Sequence, residues 1–361
     1  MTELRSQKRP VAKSIADLLA GSWRSPPPPL PAASPELQEA LTLVARTKAG
    51  ALTWWRLRDT SFALLPEVEA LHDAYRYAAL QAQFHEVRVS SVFRALRAVS
   101  IEPILIKGWD VARLYPQSGL RLYEDIDLIV RPEHQPLAET ALRSNGMSDA
   151  VVDFDHAEIS VFDSGDWDGL YERSRVVALA GVDIRVLSPE DHLRALCIHG
   201  LKHCFSNPLW LCDVAVSVEA TGAAFDWERC FGKRHPQDQW IGCALALARD
   251  LLGCELPAQP AQRVDPLPRW LVPIVLDTWI RWAMVGPDKR WAVREILDNP
   301  VNALAVVARR WPNQLVVRLK RRAPLADGPP WLQRLHEFGY LFEGKRLVEA
   351  LLRKSPERST P

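Results

Sequence analysis

The chain has no segment approaching the ~20 consecutive apolar residues needed to span a bilayer as a helix, which excludes a helical membrane crossing. The early apolar run from Ile15 to Ala20 is short and is broken by Asp17, so it does not read as a secretory signal. Net charge is nearly absent: 45 Lys and Arg against 44 Asp and Glu leave +1, and this balance points to neither a nucleic acid nor a membrane as partner. The six cysteines, Cys197, Cys204, Cys212, Cys230, Cys243 and Cys254, form no C-x-x-C pair. They are expected to be reduced, mostly buried thiols of a cytoplasmic protein. What remains is the composition of a globular enzyme, with 48% hydrophobic and 25% charged residues. At 361 residues the chain is long enough for two domains with cores of their own.

Local patterning is more informative than these totals. Residues 1–34 combine a short amphipathic helix around Val11 to Ala20 with the stiff, extended run Pro26 to Pro29. Residues 35–100 read as two or three helices, with Val68, Leu71, Tyr75, Ala78, Ala79 and Ala82 recurring at a helical period. From 101 to 187 the pattern turns to strands separated by one or two helices. Pro132 to Asn145, stopped by Gly146, fits a crossover helix, and Val176–Ala180 with Val182–Val186 fits a hairpin through Gly181. Ser188 is an N-cap before Pro189, and residues 188–361 read as a helical domain that includes Trp270–Ala283, Pro300–Arg310 and Trp331–Leu352. Charge is segregated locally: eight acids and no Lys or Arg lie between Asp149 and Glu172, six Lys or Arg and no acid between Pro300 and Leu325.

The chemistry is carried by Leu105-Ile106-Lys107-Gly108, followed by Asp125-Ile126-Asp127-Leu128-Ile129-Val130. An apolar strand delivers Lys107 and Gly108 into a turn that opens a helix, and glycine there permits close backbone approach to a phosphate. Alternate residues of a strand share a face, so Asp125 and Asp127 point the same way while their neighbours pack. Two adjacent carboxylates suit Mg²⁺, or Mn²⁺ in its place, a hard cation bound by one or two carboxylates plus substrate phosphates. Arg121 is placed to meet phosphate oxygens. D-x-D also occurs as solvated turn acids at a strand start and as the metal site of glycosyltransferases, although the long nucleotide-sugar domain that would precede it there is missing.

The stretch IKGWDVARLYPQSGLRLYEDIDLIV resembles the signature of the uncharacterised bacterial nucleotidyltransferases of the DNA polymerase beta superfamily, with Lys-Gly in place of the more usual Gly-Ser. LSPEDHLRALCIHGLKHCF and NPLWLCDVAVSVEA are similar to the helices that follow in that family, and LLAGSWRSPPPPL to its beginnings. The resemblance covers roughly residues 38 to 255. It implies an α+β fold with a nucleotidyltransferase-type mixed sheet, flanked by N-terminal helices and a C-terminal helical lobe. It also implies an NTP as co-substrate. Relatives act as tailoring enzymes in small-peptide biosynthesis and as toxin-like proteins that modify RNA, so the acceptor is a peptide, an RNA, a protein or a small molecule.

Two-metal nucleotidyl transfer asks for a third carboxylate. Glu158 is the expected one, in the place where the family carries an acid in a short apolar strand; Ser160 departs from the histidine usual two residues later, and Asp153, Asp155 and Asp163 compete. His192, His199 and His203 fall along one stripe of a helix. Gly200 after His199 removes the glutamate base that H-E-x-x-H zinc chemistry requires. The resemblance places His199, Lys202 and His203 at phosphate or acceptor, with core packing of the histidines as the alternative; Asp213 orients them or caps local amides. Arg309, Arg310, Arg318, Lys320, Arg321 and Arg322 form either a solvated helix face or a guide for an anionic acceptor, and Trp54, Trp55, Trp270, Trp279 and Trp282 are expected in the core. The expected activity is Mg²⁺-dependent transfer of NMP from an NTP, with an NTP-binding protein that has lost turnover as the alternative.

Overall fold

The computed structural model describes residues 2–147, 152–154, 167–232, 236–285 and 314–327. The fold is α+β, as expected. Four helices lead into the sheet: α1 (Thr2–Leu19), α2 (Pro35–Val44), α3 (Gly50–Leu57) and the long α4 (Pro66–Arg97). α2 begins where Ser34 accepts a hydrogen bond from the Leu37 amide at 3.1 Å with Pro35 in the first turn, a conventional cap. Between α1 and α2 the chain runs extended through the proline stretch.

The central sheet has five strands in the order β3-β2-β1-β5-β4. β1 (Ile104–Ile106) pairs antiparallel with β2 (Ile126–Ile129), and β2 runs parallel to β3 (Val152–Phe154). On its other side β1 lies parallel to β5 (Val182–Val186), which closes a hairpin with β4 (Arg175–Leu179). Ala180 (φ +48°) and Gly181 (φ +78°) make the two-residue hairpin turn, both in the left-handed conformation that matches strand twist. Short α5 (Gly108–Ala112) leaves β1, and α6 (Gln135–Ser144) links β2 to β3, ending at Gly146 with φ +71°.

Side-chain alternation gives the sheet two different faces. Leu105, Ile126, Leu128, Ile184 and Val186 pack under α4 and α6 against Val89, Phe93, Leu96 and Leu142. Ile104, Ile106 and Ile129 pack on the opposite face with Leu170 of α7 (Trp167–Arg173) and Ala195 of α8 (Pro189–Lys202). α8 starts at the expected cap, Ser188 accepting from the Asp191 amide at 3.2 Å.

The helices that follow are α9 (Pro208–Glu219), α10 (Trp227–Phe231), α11 (Gln237–Leu252), α12 (Ala258–Ala261), α13 (Leu271–Val285) and α14 (Gln314–Lys320). Their core is shared with the start of the chain: Val11, Ile15, Leu18 and Leu19 of α1 are buried with Leu211, Leu245, Leu271 and Trp279. Arg24 pins this arrangement, bonding Glu219 and the Gly253 carbonyl. All six cysteines are buried, and burial pushes the Cys197 thiol well up, as the composition suggested. Trp279 is fully buried, while Trp54, Trp55 and Trp270 pack as partly covered residues around the same core. The expected helices Pro300–Arg310 and Trp331–Leu352 lie outside the described residues. Among the described residues no helix is long and apolar enough to cross a membrane.

Candidate active site

β1 ends at Ile106, whose register partner on β2 is Asp127. The chain then turns sharply: Lys107 has φ 56°, ψ −148° and Gly108 φ +44°. Lys107 therefore holds a backbone conformation that glycine adopts without strain and other residues at a cost of about 1–3 kcal/mol. The turn lies over the segment leading into β2, since a Cβ added to Gly108 would come 3.6 Å from the Asp125 carbonyl. Its product is a cation beside a carboxylate. The Lys107 side chain is buried, with Nζ 3.3 Å from Asp127 Oδ1 and 3.5 Å from His199 Nδ1. Asp127 stays partly open to solvent and Asp125, just before the strand, is exposed.

α8 runs past the sheet face that carries Asp127 and brings in the histidines. His199 and His203 sit 4.7 Å apart between ring centroids, and both rings meet Trp210 at the start of α9, at 4.9 and 5.5 Å. The link between α8 and α9 is unusually tight. Cys204 and Phe205 are both left-handed, the Phe205 amide donates back to the Gly200 carbonyl at 2.6 Å, and the Phe205 ring lies so close under Gly200 that a Cβ there would fall 2.1 Å from it. Gly200 is thus required by packing; its place after His199 has nothing to do with zinc chemistry. Lys202, in the last turn of α8, is half-buried in the same corner.

Arg121 and Asp213 are placed otherwise than the sequence suggested. Arg121 is buried and donates to the Asp213 carboxylate through Nε, to both oxygens at 3.2 Å, and through Nη2 at 2.7 Å, and the Tyr115 hydroxyl adds a fourth bond at 2.8 Å. Burial alone would lower the Arg121 guanidinium, but the charge and hydrogen bonds of Asp213 raise it. Burial and the same carboxylate push Tyr115 well up. Asp213 accordingly faces Arg121 and Tyr115, not His199 and His203. His192, expected on the stripe of His199 and His203, is buried with Nδ1 3.1 Å from Asp110 Oδ2. Asp110 also receives Arg113 Nη2 at 2.5 Å; burial alone would raise its carboxyl, but His192 and Arg113 bring it down to about 2. This cluster clamps the first turn of α5 to α8. α5 itself has only five residues, so its dipole is a weak anion site and Lys107 is the stronger one.

Glu158 lies outside the described residues. Within them, Asp153 on β3 is the register partner of Asp127 across a parallel pair, while Val152 and Phe154 turn to the packed face with Ile126 and Leu128. The alternation Val-Asp-Phe already carried that signal. Asp127 and Asp153 stand side by side on β2 and β3, with Asp125 just before β2, and carboxylate oxygens are the donors a hard divalent ion takes. Among the described residues no group of three or more acidic, His or Cys side chains is placed to hold a metal ion. Of the basic stretch, Arg309 and Arg310 lie outside the described residues; Arg318 is buried, donating to the Pro324 carbonyl and lying over Trp270, a packing role.

Residues 33–253 match a protein-family model described as uncharacterised nucleotidyltransferase. Among solved structures, the chain is similar to that of an antigenic nucleotidyltransferase-like protein from Paracoccidioides brasiliensis, at 14% identity over 48% of this chain and 94% of that one, with a TM-score of 0.36. No curated protein matches the chain.

Proposed function

The chain belongs to the uncharacterised nucleotidyltransferase family, and from that premise we propose that it transfers NMP from an NTP to an acceptor oxygen with the help of Mg²⁺. The acceptor oxygen bonds to the α-phosphorus, the bond from that phosphorus to the bridging oxygen breaks, and pyrophosphate leaves. The observation that carries this reading is the pairing of Lys107 with Asp127 at the end of β1, with Asp125 beside it. Asp125 and Asp127 hold the cation, joined by Asp153 or Glu158. When bound, the cation neutralises triphosphate charge and activates the attacking oxygen. Lys107 and Gly108 form the floor under the phosphates. His199, Lys202 and His203 line the wall, and their role is alignment and electrostatic stabilisation, which dominate phosphoryl chemistry. Arg121 is assigned to holding α9 against the segment between α5 and β2 through Asp213, not to phosphate.

The acceptor belongs to one of four classes: a peptide, an RNA, a protein or a small molecule. The test uses the purified protein, Mg²⁺, a cell extract rich in peptides and RNA, and NTPs labelled separately at the α and γ positions, with Asp125→Asn/Asp127→Asn as control. Label from the α position entering an acceptor only with intact aspartates supports the reading and isolates the substrate. Label from the γ position means phosphoryl transfer instead. A second reading, NTP binding without turnover, is favoured by one feature: the ammonium of Lys107 already neutralises the carboxylate a cation would need. Tight NTP binding with no label transferred would select it.

A further inference from the structure

The outer face of α4 carries an apolar stripe. Tyr77, Leu80, Phe84 and Val87 are 52%, 52%, 55% and 65% exposed, although the inner face of the same helix is closely packed. At about 100° per residue these four fall within an arc of about 80° and extend about 15 Å along the axis. The stripe continues at both ends with charge of opposite sign. Glu69 and Asp73 extend it toward the N-terminus, Ser91 and Arg94 toward the C-terminus, and all but the half-buried Ser91 are exposed.

We propose that this face pairs with the same face of a second copy of the chain, the two α4 helices running antiparallel about a two-fold axis near residue 82. The argument is charge complementarity in register. Glu69 lies about 20 Å on one side of that point and Arg94 about 18 Å on the other, within about 20° of the same edge of the stripe. An antiparallel two-fold pairing sets each Glu69 against the partner copy's Arg94, twice, and sets Asp73 near Ser91. A parallel pairing would oppose acid to acid. Arg76 and Arg88, equidistant from the centre, lie about 120° apart around the helix, so these like charges do not meet. Such an isologous contact closes on itself as a dimer. At about 39 Å long and about 10–12 Å wide, it covers roughly 400–500 Å² of each copy, short of the ~800 Å² of a standard interface, so the dimer is a weak one in the micromolar range.

Sedimentation velocity of the full chain across about 2 to 200 µM tests this. The wild type is expected to shift from monomer to dimer over that range and Phe84→Glu to remain monomeric. Leu80→Lys is the second disruption, read the same way should Phe84→Glu lower the melting temperature. Glu69→Arg and Arg94→Glu are each expected to weaken association by about tenfold, and the double reversal to restore it to within about threefold, because it rebuilds both pairs with exchanged sign. A wild type that stays monomeric at every concentration would overturn the proposal. So would a dimer indifferent to Phe84→Glu, or a double reversal as weak as the single ones.

Discussion

Two carboxylate–cation pairs flank the Lys-Gly turn, and they differ in how much water they keep. Arg121 and Asp213 are sealed, joined by three bonds from two donors, and served by Tyr115 as well. Lys107 Nζ meets Asp127 Oδ1 at 3.3 Å, at the edge of a corner where Asp127 and the neighbouring Asp125 still see solvent. A fully engaged buried pair has nothing left to offer a ligand, and its energy goes into holding α9 to the segment between α5 and β2. A carboxylate at a solvent boundary can still be reached by a ligand, which is what the proposed site for a cation and a triphosphate would require. The contrast suits one pair to stability and the other to the chemistry proposed above.

The largest effect that would sharpen this contrast is on turnover. Asp127→Asn is expected to reduce transfer on the order of 10⁴-fold, about 5 kcal/mol of barrier, while changing unfolding free energy by about 1–3 kcal/mol, because Lys107 is buried and loses part of its partner. Steady-state kinetics beside urea denaturation checks both; equal losses in both would erase the distinction. Asp213→Ala should do the reverse. Leaving Arg121 buried and unpaired costs about 3–5 kcal/mol, read as a lower denaturation midpoint, with activity per folded molecule falling far less than for Asp127→Asn.

Gly200→Ala comes next, at about 1–3 kcal/mol, because its methyl group collides with the Phe205 ring. Its thermal melt should fall together with NTP affinity, since the same corner positions His199 and Lys202. The smallest effect is pH-linked. Asp110, held at about 2 by His192 and Arg113 against an ordinary 3.8, contributes stability that is complete above about pH 4 and disappears as the pH falls toward 2. That contribution is about 2 kcal/mol, and Asp110→Asn should flatten this part of an acid titration followed by circular dichroism.

Much of the fold was legible because its signals are local. Ser34-Pro35 and Ser188-Pro189 announce helix starts, Ala180-Gly181 makes the hairpin turn, and the alternation from Ile126 to Ile129 separates the face packed under α4 and α6 from the face that carries Asp127. The fate of Arg121 was not legible. An arginine upstream of two aspartates suits phosphate equally well on paper, and its partner lies 92 residues away on another helix. His192 taught the same lesson: helical spacing gives a direction around the axis but not a depth, and depth is decided by Asp110 arriving from α5. Asp153 was legible only as one acid among several until strand register placed it opposite Asp127.

Lys107 occupies a backbone conformation suited to glycine, and this locates the fragility of the site in residues that never meet a substrate. The turn does not keep its own shape; β1 and α5 impose it from either side. Loosening that grip, as Ile106→Ala would by opening space beneath β1, lets the peptide relax toward an ordinary angle and swings the ammonium away from Asp127. The turn behaves like a drawn bow, kept bent by apolar neighbours, so that a conservative change in the core would move the ammonium without altering either Lys107 or Asp127.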